Sequence, residues 1–417
     1  MKAYDSYKDS GIQWLPKIPS HWDSSKIKSH FRLRSTKVSD QDFPALSVSK
    51  NGVTPQLQTA VKTDNGDNRK LVRAGDFVVN SRSDRKGSCG VSSLDGSVSL
   101  INIVLEPIDG YAQYYHHLFR SNNYIEEFYR NGRGIVSDLW TTRWNEMSSI
   151  MIPFPPIGEQ EKIVAFLDKQ ITLIESCKCQ RERELQTLNE LKQAEIASVV
   201  TRGLNPNVPM KDSGFPWIGR IPEHWNVKTL RAYLRLISEK NHPDATLLSV
   251  TREQGVIVRD AESKEENHNF IPEDLSGYKY VRKGQFVINK MKAWQGSYGV
   301  SLYDGIVSPA YYVCDLDFPN KEYFSLAIRS KTYVDFFARW SKGIRVGQWD
   351  LEPIALKSVP FLEPPVKEMR QIVDYVKSKT QKIDTMIEAL TAEIERLTEY
   401  KQRLISDAVT GQMNVQD

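Results

Sequence analysis

Two short segments of the sequence combine glycine with closely spaced cationic and amide side chains. They span residues 80–87 and 289–296, and each follows an apolar run that starts with Phe-Val. Guanidinium and ammonium groups bind phosphates, Arg, Lys and Gln can hydrogen-bond the edges of bases, and an indole ring can stack on or wedge between bases. We therefore interpret these segments as candidate DNA contacts, made by Arg82, Arg85, Lys86, Lys290, Lys292, Trp294 and Gln295.

Four further residues offer the same chemistry. Arg133 and Arg345 lie in glycine-containing segments, where the backbone can approach DNA closely while Arg donates two parallel hydrogen bonds. Lys50 and Arg252 each follow a Leu-Ser-Val segment that has the composition of a strand. Local composition alone favours a solvated surface loop for the basic segments, so that alternative stays open for every one of these residues.

Other chemistries find little support in the residue pattern. A Pro-Asp pair ending at Asp244, followed by Glu262 and Lys264, matches the spacing of metal-dependent nucleases, but Glu262 lies in a polar stretch without strand character. His21 and His224 each precede a Trp, and we interpret them as hydrogen-bonded structural groups. The sequence lacks a phosphate-binding loop, a methyltransferase cofactor motif and paired cysteines for zinc. We predict no catalytic, cofactor-binding or metal-binding residue.

An internal repeat positions the candidate contacts. Residues 8–22 recur as residues 211–225, and both copies carry Lys-Asp-Ser-Gly followed by the pattern W-x-x-x-I-P-x-H-W. Further along, the halves keep an offset of 209 residues, so that Val72 matches Val281. Each half starts with short β-branched runs separated by Gly, Asn and Asp, which indicates a mixed α/β (α+β) domain.

Each half ends in a segment with the features of one long helix. Residues 158–201 and 367–410 contain no Pro or Gly after their first residue, and their apolar residues recur at alternating three- and four-residue intervals. Lys178, Arg181, Lys192 and Glu195 interrupt the pattern of the first segment. The predicted coiled-coil seam consists of Val164, Leu167, Ile171, Ile174, Leu185, Leu188, Val376, Ile383, Ile387, Leu390, Ile394, Leu397 and Leu404.

Antiparallel pairing of these two helices would relate the halves by a pseudo-two-fold axis. The helices would then form a spacer on the order of 65 Å long between the two mixed domains. An ordinary bundle core and a homodimer zipper stay open as alternatives, because a heptad pattern does not select its partner.

Bulk composition restricts the class only weakly. The chain has 417 residues, of which 40% are hydrophobic, so it can form the cores of two or three domains. Its formal net charge of +4 does not by itself indicate a nucleic-acid partner. No uncharged apolar run approaches the roughly 18 residues of a membrane helix, so we expect a cytoplasmic protein without membrane contact.

The order of domain, long helix, domain, long helix resembles the DNA-specificity subunits of type I restriction-modification systems. The W-x-x-x-I-P-x-H-W motif at the start of each half and Pro155-Pro156-x-x-Glu159-Gln160-x-x-Ile163 before the first helix carry this resemblance, which covers essentially the whole chain. It implies target-recognition domains at residues 1–156 and 207–365 and long helices within residues 157–206 and 366–417.

The resemblance also implies a function. Such a subunit is not catalytic, reads a bipartite double-stranded DNA target with one domain per half-site, and docks two methyltransferase (M) subunits, with restriction (R) subunits in the full complex. No cofactor is implied for this chain, because the methyltransferase partner would hold S-adenosylmethionine. A coiled-coil scaffold that binds no DNA and a self-contained nuclease stay open as alternatives.

Overall fold

The computed structural model describes residues 2–56, 66–134, 140–259, 272, 274–345 and 348–415. The chain divides into two compact units, one formed by Met1–Glu182 with Ala392–Asp417 and the other by Arg183–Thr391. In chain order the helices are α1 (Ala112–Leu118), α2 (Asn122–Arg130), α3 (Trp144–Met147), α4 (Ile157–Arg202), α5 (Lys321–Ile328), α6 (Lys331–Trp340), α7 (Pro353–Ser358) and α8 (Val366–Val409).

Helices α4 and α8 are the two long helices that the sequence predicts. They contain 46 and 44 residues. Each is followed by a glycine with a left-handed backbone, Gly203 (φ 73°) after α4 and Gly411 (φ 72°) after α8. Glycine adopts this conformation without steric cost and is the common residue just beyond a helix end. The predicted mixed α/β fold with two long helices is confirmed.

The first unit builds its globular part from small antiparallel sheets. It contains a four-stranded sheet of order β10-β9-β12-β4 and a three-stranded sheet of order β11-β8-β5. Three separate two-stranded pairs, β1-β2, β3-β13 and β6-β7, accompany them. Aromatic side chains fix the helices to the larger sheet, as where the rings of Phe77 and Phe119 meet edge to face at 5.0 Å. The strands are β1 (Tyr7–Ile12), β2 (Leu15–Pro19), β3 (Asp23–Lys26), β4 (Phe31–Leu33), β5 (Lys37–Val38), β6 (Leu46–Ser49), β7 (Gly52–Pro55), β8 (Arg69–Val72), β9 (Phe77–Asn80), β10 (Cys89–Val91), β11 (Gly96–Val98), β12 (Asn102–Pro107) and β13 (Met151–Phe154).

The second unit repeats this plan. Its four-stranded sheet has the order β17-β24-β21-β22, beside the pairs β14-β15, β16-β27, β18-β19, β20-β23 and β25-β26. The rings of Phe286 and Phe324 meet edge to face at 5.3 Å. The strands are β14 (Met210–Asp212), β15 (Arg220–Pro222), β16 (Asn226–Thr229), β17 (Leu234–Ile237), β18 (Leu248–Thr251), β19 (Gly255–Val258), β20 (Lys279–Val281), β21 (Phe286–Ile288), β22 (Tyr298–Val300), β23 (Gly305–Val307), β24 (Tyr312–Leu316), β25 (Lys342–Arg345), β26 (Gln348–Asp350) and β27 (Pro360–Glu363).

Within the first unit, the beginning of α4 packs antiparallel to the end of α8. Glu175 binds Lys401 at 2.6 Å, and further along α4, Arg181 binds Glu393 at 2.9 Å. The contact position on α8 moves backwards as the position on α4 moves forwards. The two helices of one chain therefore pair with each other, as predicted.

The second unit shows the same antiparallel pairing between the other parts of the helices. Lys192 of α4 binds Asp384 of α8 at 2.5 Å, and Tyr375 donates its hydroxyl to Glu195 at 2.6 Å. The charged residues that interrupt the apolar pattern of α4 thus include cross-helix partners. Every residue of the predicted seam is buried or half-buried.

The repeated W-x-x-x-I-P-x-H-W motif joins each globular part to both helix ends in its unit. In the first unit, His21 Nε2 lies 2.8 Å from Glu159 in the first turn of α4. The fully buried Trp22 lies beside Gly411, where a Cβ atom would come within 3.1 Å of the indole ring. The motif recurs because each unit needs this junction once.

Candidate functional site

The first basic loop connects β9 to β10. It contains a short 3-10 turn, Ser83–Arg85, that begins after Arg82. Tyr129 donates its hydroxyl to the Arg82 carbonyl oxygen at 3.0 Å, and the Arg82 N–H donates to Asn80 Oδ1 at 3.2 Å. The Arg85 side chain is 65% exposed. The loop therefore carries exposed cations. Side-chain hydrogen bonds to both the carbonyl oxygen and the N–H of Arg82 fix its backbone.

Acidic side chains accompany the cations of this loop. Asp84 lies 3.1 Å from Arg82 Nε and 3.6 Å from Arg85 Nε, and Lys86 Nζ lies 3.1 Å from Glu126. Ion pairs this exposed stabilise a protein by about 0.2 to 1 kcal/mol each. In pairs this weak, a phosphate could replace the carboxylate at little cost in free energy.

Lys86 also lies at the edge of an open cleft of about 560 Å³. The cleft is lined by Trp14, Trp140, Arg130 and other residues of α2. Beyond it, Arg133 pairs through its backbone with Thr141, and its exposed side chain lies 3.7 Å from Glu146. The second candidate segment of the first unit thus adjoins this cleft. Its neighbour Ile135 lies outside the described residues.

The second unit places its basic loop between β21 and β22. Lys290 Nζ lies 2.9 Å from Asp350 at the end of β26, and this carboxylate raises the pKa of Lys290. Lys292 is exposed and precedes a 3-10 turn, Ala293–Gln295. Arg345 is the last residue of β25, and its side chain lies outside the described part of the structure.

Two tryptophans pack together in the second loop. The ring centroids of Trp294 and Trp349 lie 4.9 Å apart, and both side chains are half-buried, as is that of Gln295. The buried indole nitrogen of Trp294 has no hydrogen-bond partner among the described residues. Burial of an indole N–H without an acceptor costs free energy, so an acceptor that reached this group would gain a hydrogen bond.

Sequence reasoning missed the partner tryptophan and its counterpart. Trp349 and Trp140 occupy matching places, because 349 and 140 differ by the repeat offset of 209. The same offset places Trp294 opposite Arg85. A systematic comparison of the two halves at this offset would have found both tryptophans.

The remaining predicted contacts, Lys50 and Arg252, lie at the tips of two corresponding hairpins. Lys50 follows β6 in the hairpin β6-β7, and Arg252 follows β18 in the hairpin β18-β19. Both side chains are exposed. The structure therefore places them at equivalent positions in the two units.

A polar chain in the first unit has the residue types of a hydrolase triad. Ser25 Oγ hydrogen-bonds His30 Nε2, and His30 Nδ1 lies 2.6 Å from Asp109 Oδ1. The matching positions of the second unit are aromatic for the last two members, where the rings of Tyr233 and Phe318 pack at 4.9 Å. The same place in the fold is thus filled either by hydrogen bonds or by ring packing. We assign Ser25, His30 and Asp109 a structural role.

Metal and membrane chemistry find no support in the part of the chain that the structure covers. No group of three or more His, Cys, Asp or Glu residues there is arranged to hold a metal ion. No helix in that part is both long and apolar enough to cross a bilayer. Of the nuclease-like pattern, Asp244 follows the β17 region, whereas Glu262 and Lys264 lie outside the described residues.

The chain has sequence similarity to specificity subunits of type I restriction enzymes. No protein-family model matches the chain. It is 21% identical over 347 residues to the type I restriction enzyme EcoDI specificity subunit of Escherichia coli, a match that covers 75% of this chain and 72% of that protein. It is 23% identical over 286 residues to the putative MjaX specificity subunit of Methanocaldococcus jannaschii, covering 65% of this chain and 61% of that protein. In sequence, the chain is thus similar to the specificity subunits of type I restriction enzymes.

A solved structure supports the same fold. A chain from a study of complex assembly and conformational transition in the type I R-M system superposes with a TM-score of 0.63, at 15% identity, over 95% of this chain and 99% of that chain. The predicted fold class is therefore confirmed, and the sequence matches agree with the predicted resemblance to type I specificity subunits. The individual DNA contacts stay predictions.

Proposed function

We propose that this chain is the DNA-specificity subunit of a type I restriction-modification complex. Each unit reads one half of a bipartite double-stranded DNA site, and the paired helices dock methyltransferase subunits, two per complex as the family resemblance implies. S-adenosylmethionine and the catalytic groups belong to the partners, restriction subunits complete the complex, and the chain acts in the cytoplasm.

The main observation behind this proposal is that the two basic loops are supported by corresponding strands but carry different side chains. Both loops connect the same two strands of matching four-stranded sheets. The repeat offset places Arg85 opposite Trp294 and Lys86 opposite Gln295. Base edges are distinguished by the donors, acceptors and apolar groups that reach them, so two unlike half-sites require unlike side chains on similar supports.

The helices offer a surface for the proposed protein partner. Large apolar side chains point into solvent on both, with exposed fractions of 56% for Leu173 of α4 and 54% for Met386 of α8. Two paired helices cannot enclose their seam completely, which agrees with the half-buried state of its central residues. A subunit that packs on this surface would remove apolar area from water and so gain binding free energy.

The test is to map methylation in a host that expresses the chain with its cognate methyltransferase subunit. A bipartite methylated motif that disappears without this chain supports the proposal. Exchange of residues 24–152 for the corresponding segment of a relative should then change one half of the motif and leave the other intact.

Two outcomes would contradict the proposal. Assembly of the complex without any sequence-specific DNA binding would favour a scaffold protein. Binding of S-adenosylmethionine or cleavage of DNA by the isolated chain would instead indicate an enzyme. The matched control for the exchange is the corresponding replacement in the second unit, which should change only the other half of the motif.

A further inference from the structure

Each unit displays the tip of one short hairpin to solvent. In the first unit β6 and β7 are joined by Lys50 and Asn51, and Ser49 pairs with Gly52 at the base of the turn. In the second unit β18 and β19 are joined by residues 252–254, and Thr251 pairs with Gly255. The two hairpins occupy the same position in the repeat, although the second tip is one residue longer.

Side-chain hydroxyls fix the backbone of both tips. The Asn51 N–H donates to Ser49 Oγ at 3.1 Å. The Gln254 N–H donates to Thr251 Oγ1 at 3.2 Å. These local hydrogen bonds give the tip N–H groups an acceptor and so favour one turn conformation over the others.

An arginine at a matching place in each unit holds the tip from below. Arg120 follows α1 and donates to the Lys50 carbonyl oxygen. Arg329 follows α5 and donates to the carbonyl oxygens of Arg252 at 3.0 Å and Glu253 at 2.6 Å. The Arg329 side chain is half-buried, and this burial lowers the pKa of its guanidinium. The dipeptide Arg-Ser occurs at both places, as Arg120-Ser121 and Arg329-Ser330, and its arginine supports the hairpin in each unit.

Glycine pairs seat both hairpins against the neighbouring strand. A Cβ atom at Gly90 of β10 would lie 3.1 Å from the Gly52 Cα, and one at Gly299 of β22 would lie 3.3 Å from the Gly255 Cα. Gly52 and Gly255 both have positive φ values, 100° and 77°. Only glycine allows this close approach and this backbone conformation together.

The two tips carry different side chains, although the contacts that support them are alike. The first tip exposes Lys50 and Asn51, and the second exposes Arg252, Glu253 and Gln254. Lys and Arg bind guanine, Asn and Gln bind adenine in bidentate fashion, and Glu accepts from cytosine. The tips carry no apolar residue that a protein interface would bury. A fixed backbone lowers the entropy cost of placing these groups against a ligand.

We propose that the two hairpin tips are base-reading elements for the two half-sites, and that Arg120 and Arg329 are positioning residues that hold them. This inference rests on the proposed function. It adds Asn51, Glu253 and Gln254 to the specificity-determining residues, separate from the basic loops after β9 and β21.

The test uses the complex with the methyltransferase subunit. Replacement of both tip residues, Lys50→Ala with Asn51→Ala, should weaken binding to the parental site about tenfold to a hundredfold and relax the methylated motif in one half only. Arg252→Ala with Gln254→Ala should do the same to the other half. The matched control is Lys331→Ala, an exposed cation of α6 that pairs with Asp335 of the same helix, which should leave the motif unchanged.

A double-mutant cycle tests the positioning role. Arg329→Ala should weaken site-specific binding in the parental background, and should add less than about threefold in the Arg252→Ala, Gln254→Ala background, because the tip it holds no longer reads bases. A merely structural arginine would lower binding by the same factor in both backgrounds. If the Arg329→Ala variant does not fold, Arg329→Lys, which keeps one donor to the tip, replaces it in the cycle.

Three results have distinct meanings. A parental complex without sequence-specific methylation overturns the proposed function itself. A specific parental complex whose tip variants keep both motif and affinity overturns only the hairpin inference. Tip variants that lose the methyltransferase subunit in the absence of DNA would show that the tips contact protein, which also overturns the inference.

Discussion

His21 Nε2 lies 2.8 Å from Glu159 Oε2, and the same distance separates His224 from Glu368 in the second unit. Glu159 is almost fully buried and also accepts a hydrogen bond from the Tyr4 hydroxyl. The glutamate at the start of each long helix therefore ties that helix to the repeated motif. This explains why the pattern Pro-Pro-x-x-Glu occurs at the start of both long helices.

Glu159→Ala should destabilise the first unit by about 1 to 3 kcal/mol, because it leaves the buried Tyr4 hydroxyl without its acceptor. Glu159→Gln keeps an acceptor oxygen and should cost less. Urea unfolding measures both, with the exposed Glu161→Ala as the control. Equal stability of the Glu159→Ala and Glu161→Ala variants would contradict the role of this hydrogen bond.

Asp84→Asn should strengthen DNA binding by the proposed complex, because Asp84 pairs with both Arg82 and Arg85 and so competes with phosphate. Arg85→Ala should weaken binding. If Arg85 contacts a phosphate, the Arg85→Ala change should also make the slope of log binding constant against log salt concentration less negative by about 0.9. Binding isotherms at several salt concentrations measure both effects. Asp95→Asn, which removes an exposed carboxylate that pairs with Arg73, is the control. An unchanged affinity in both Asp84→Asn and Arg85→Ala would exclude this loop from the DNA interface.

Leu173→Lys and Leu191→Lys should each weaken binding of the methyltransferase subunit by at least about fivefold, because a charged side chain would enter the proposed apolar interface. Both leucines are exposed on α4, so neither change should unfold the chain. Ile354→Lys on α7 provides a control, since Ile354 is 76% exposed and lies on a different element. Pull-down titration gives the affinities. If all three variants bound the methyltransferase subunit with the same affinity, the exposed leucines of α4 would not be part of the interface.

The stability of the first unit should depend on the protonation of His116. Burial, with a smaller effect of the neighbouring Arg120, lowers the pKa of His116 to about 3. The folded state therefore stays unprotonated between about pH 6.5 and 3, where an unfolded His takes up a proton, so stability falls as the pH falls through this window. The slope due to His116 is at most about 1.4 kcal/mol per pH unit.

His116→Gln should flatten this dependence, because Gln can accept the hydrogen bond from Arg120 but does not titrate. The measurement is the difference in urea midpoint between the parent and the variant at pH 7.5, 6 and 5. The difference should shift in favour of the variant as the pH falls. A difference that is constant with pH would contradict the burial of a neutral His116.

The sequence predicts the long helices well because their periodicity is local. It does not predict which charges meet across them. Lys192 and Glu195 interrupt the apolar pattern of α4, and their partners Asp384 and Tyr375 lie far along the chain on α8. Such pairing depends on the register of two helices, which no local pattern encodes.

The candidate contacts are predicted as segments rather than as sites. The cationic composition identifies the loop of Arg82 and Arg85, but not the neighbouring Asp84 as their shared partner. The sequence pattern does not identify Trp349, because it lies in a different segment from Trp294 and only the fold brings the two rings together. The supports of the hairpin tips are equally invisible locally, since Arg329 is remote in sequence from the carbonyl oxygens that it binds.

The division of the chain between the two units also sets an order of events during synthesis. The second unit is continuous from Arg183 to Thr391, whereas the core of the first unit includes Leu404 and Ala408 of α8 beside Trp22. At about 5 to 20 residues per second, the ribosome needs roughly 10 to 50 s to reach α8 after the first globular part has emerged. Until then the apolar surface around Trp22 stays uncovered. The first unit to be translated is therefore the last to complete its core, and until then its exposed apolar surface favours aggregation of the nascent chain.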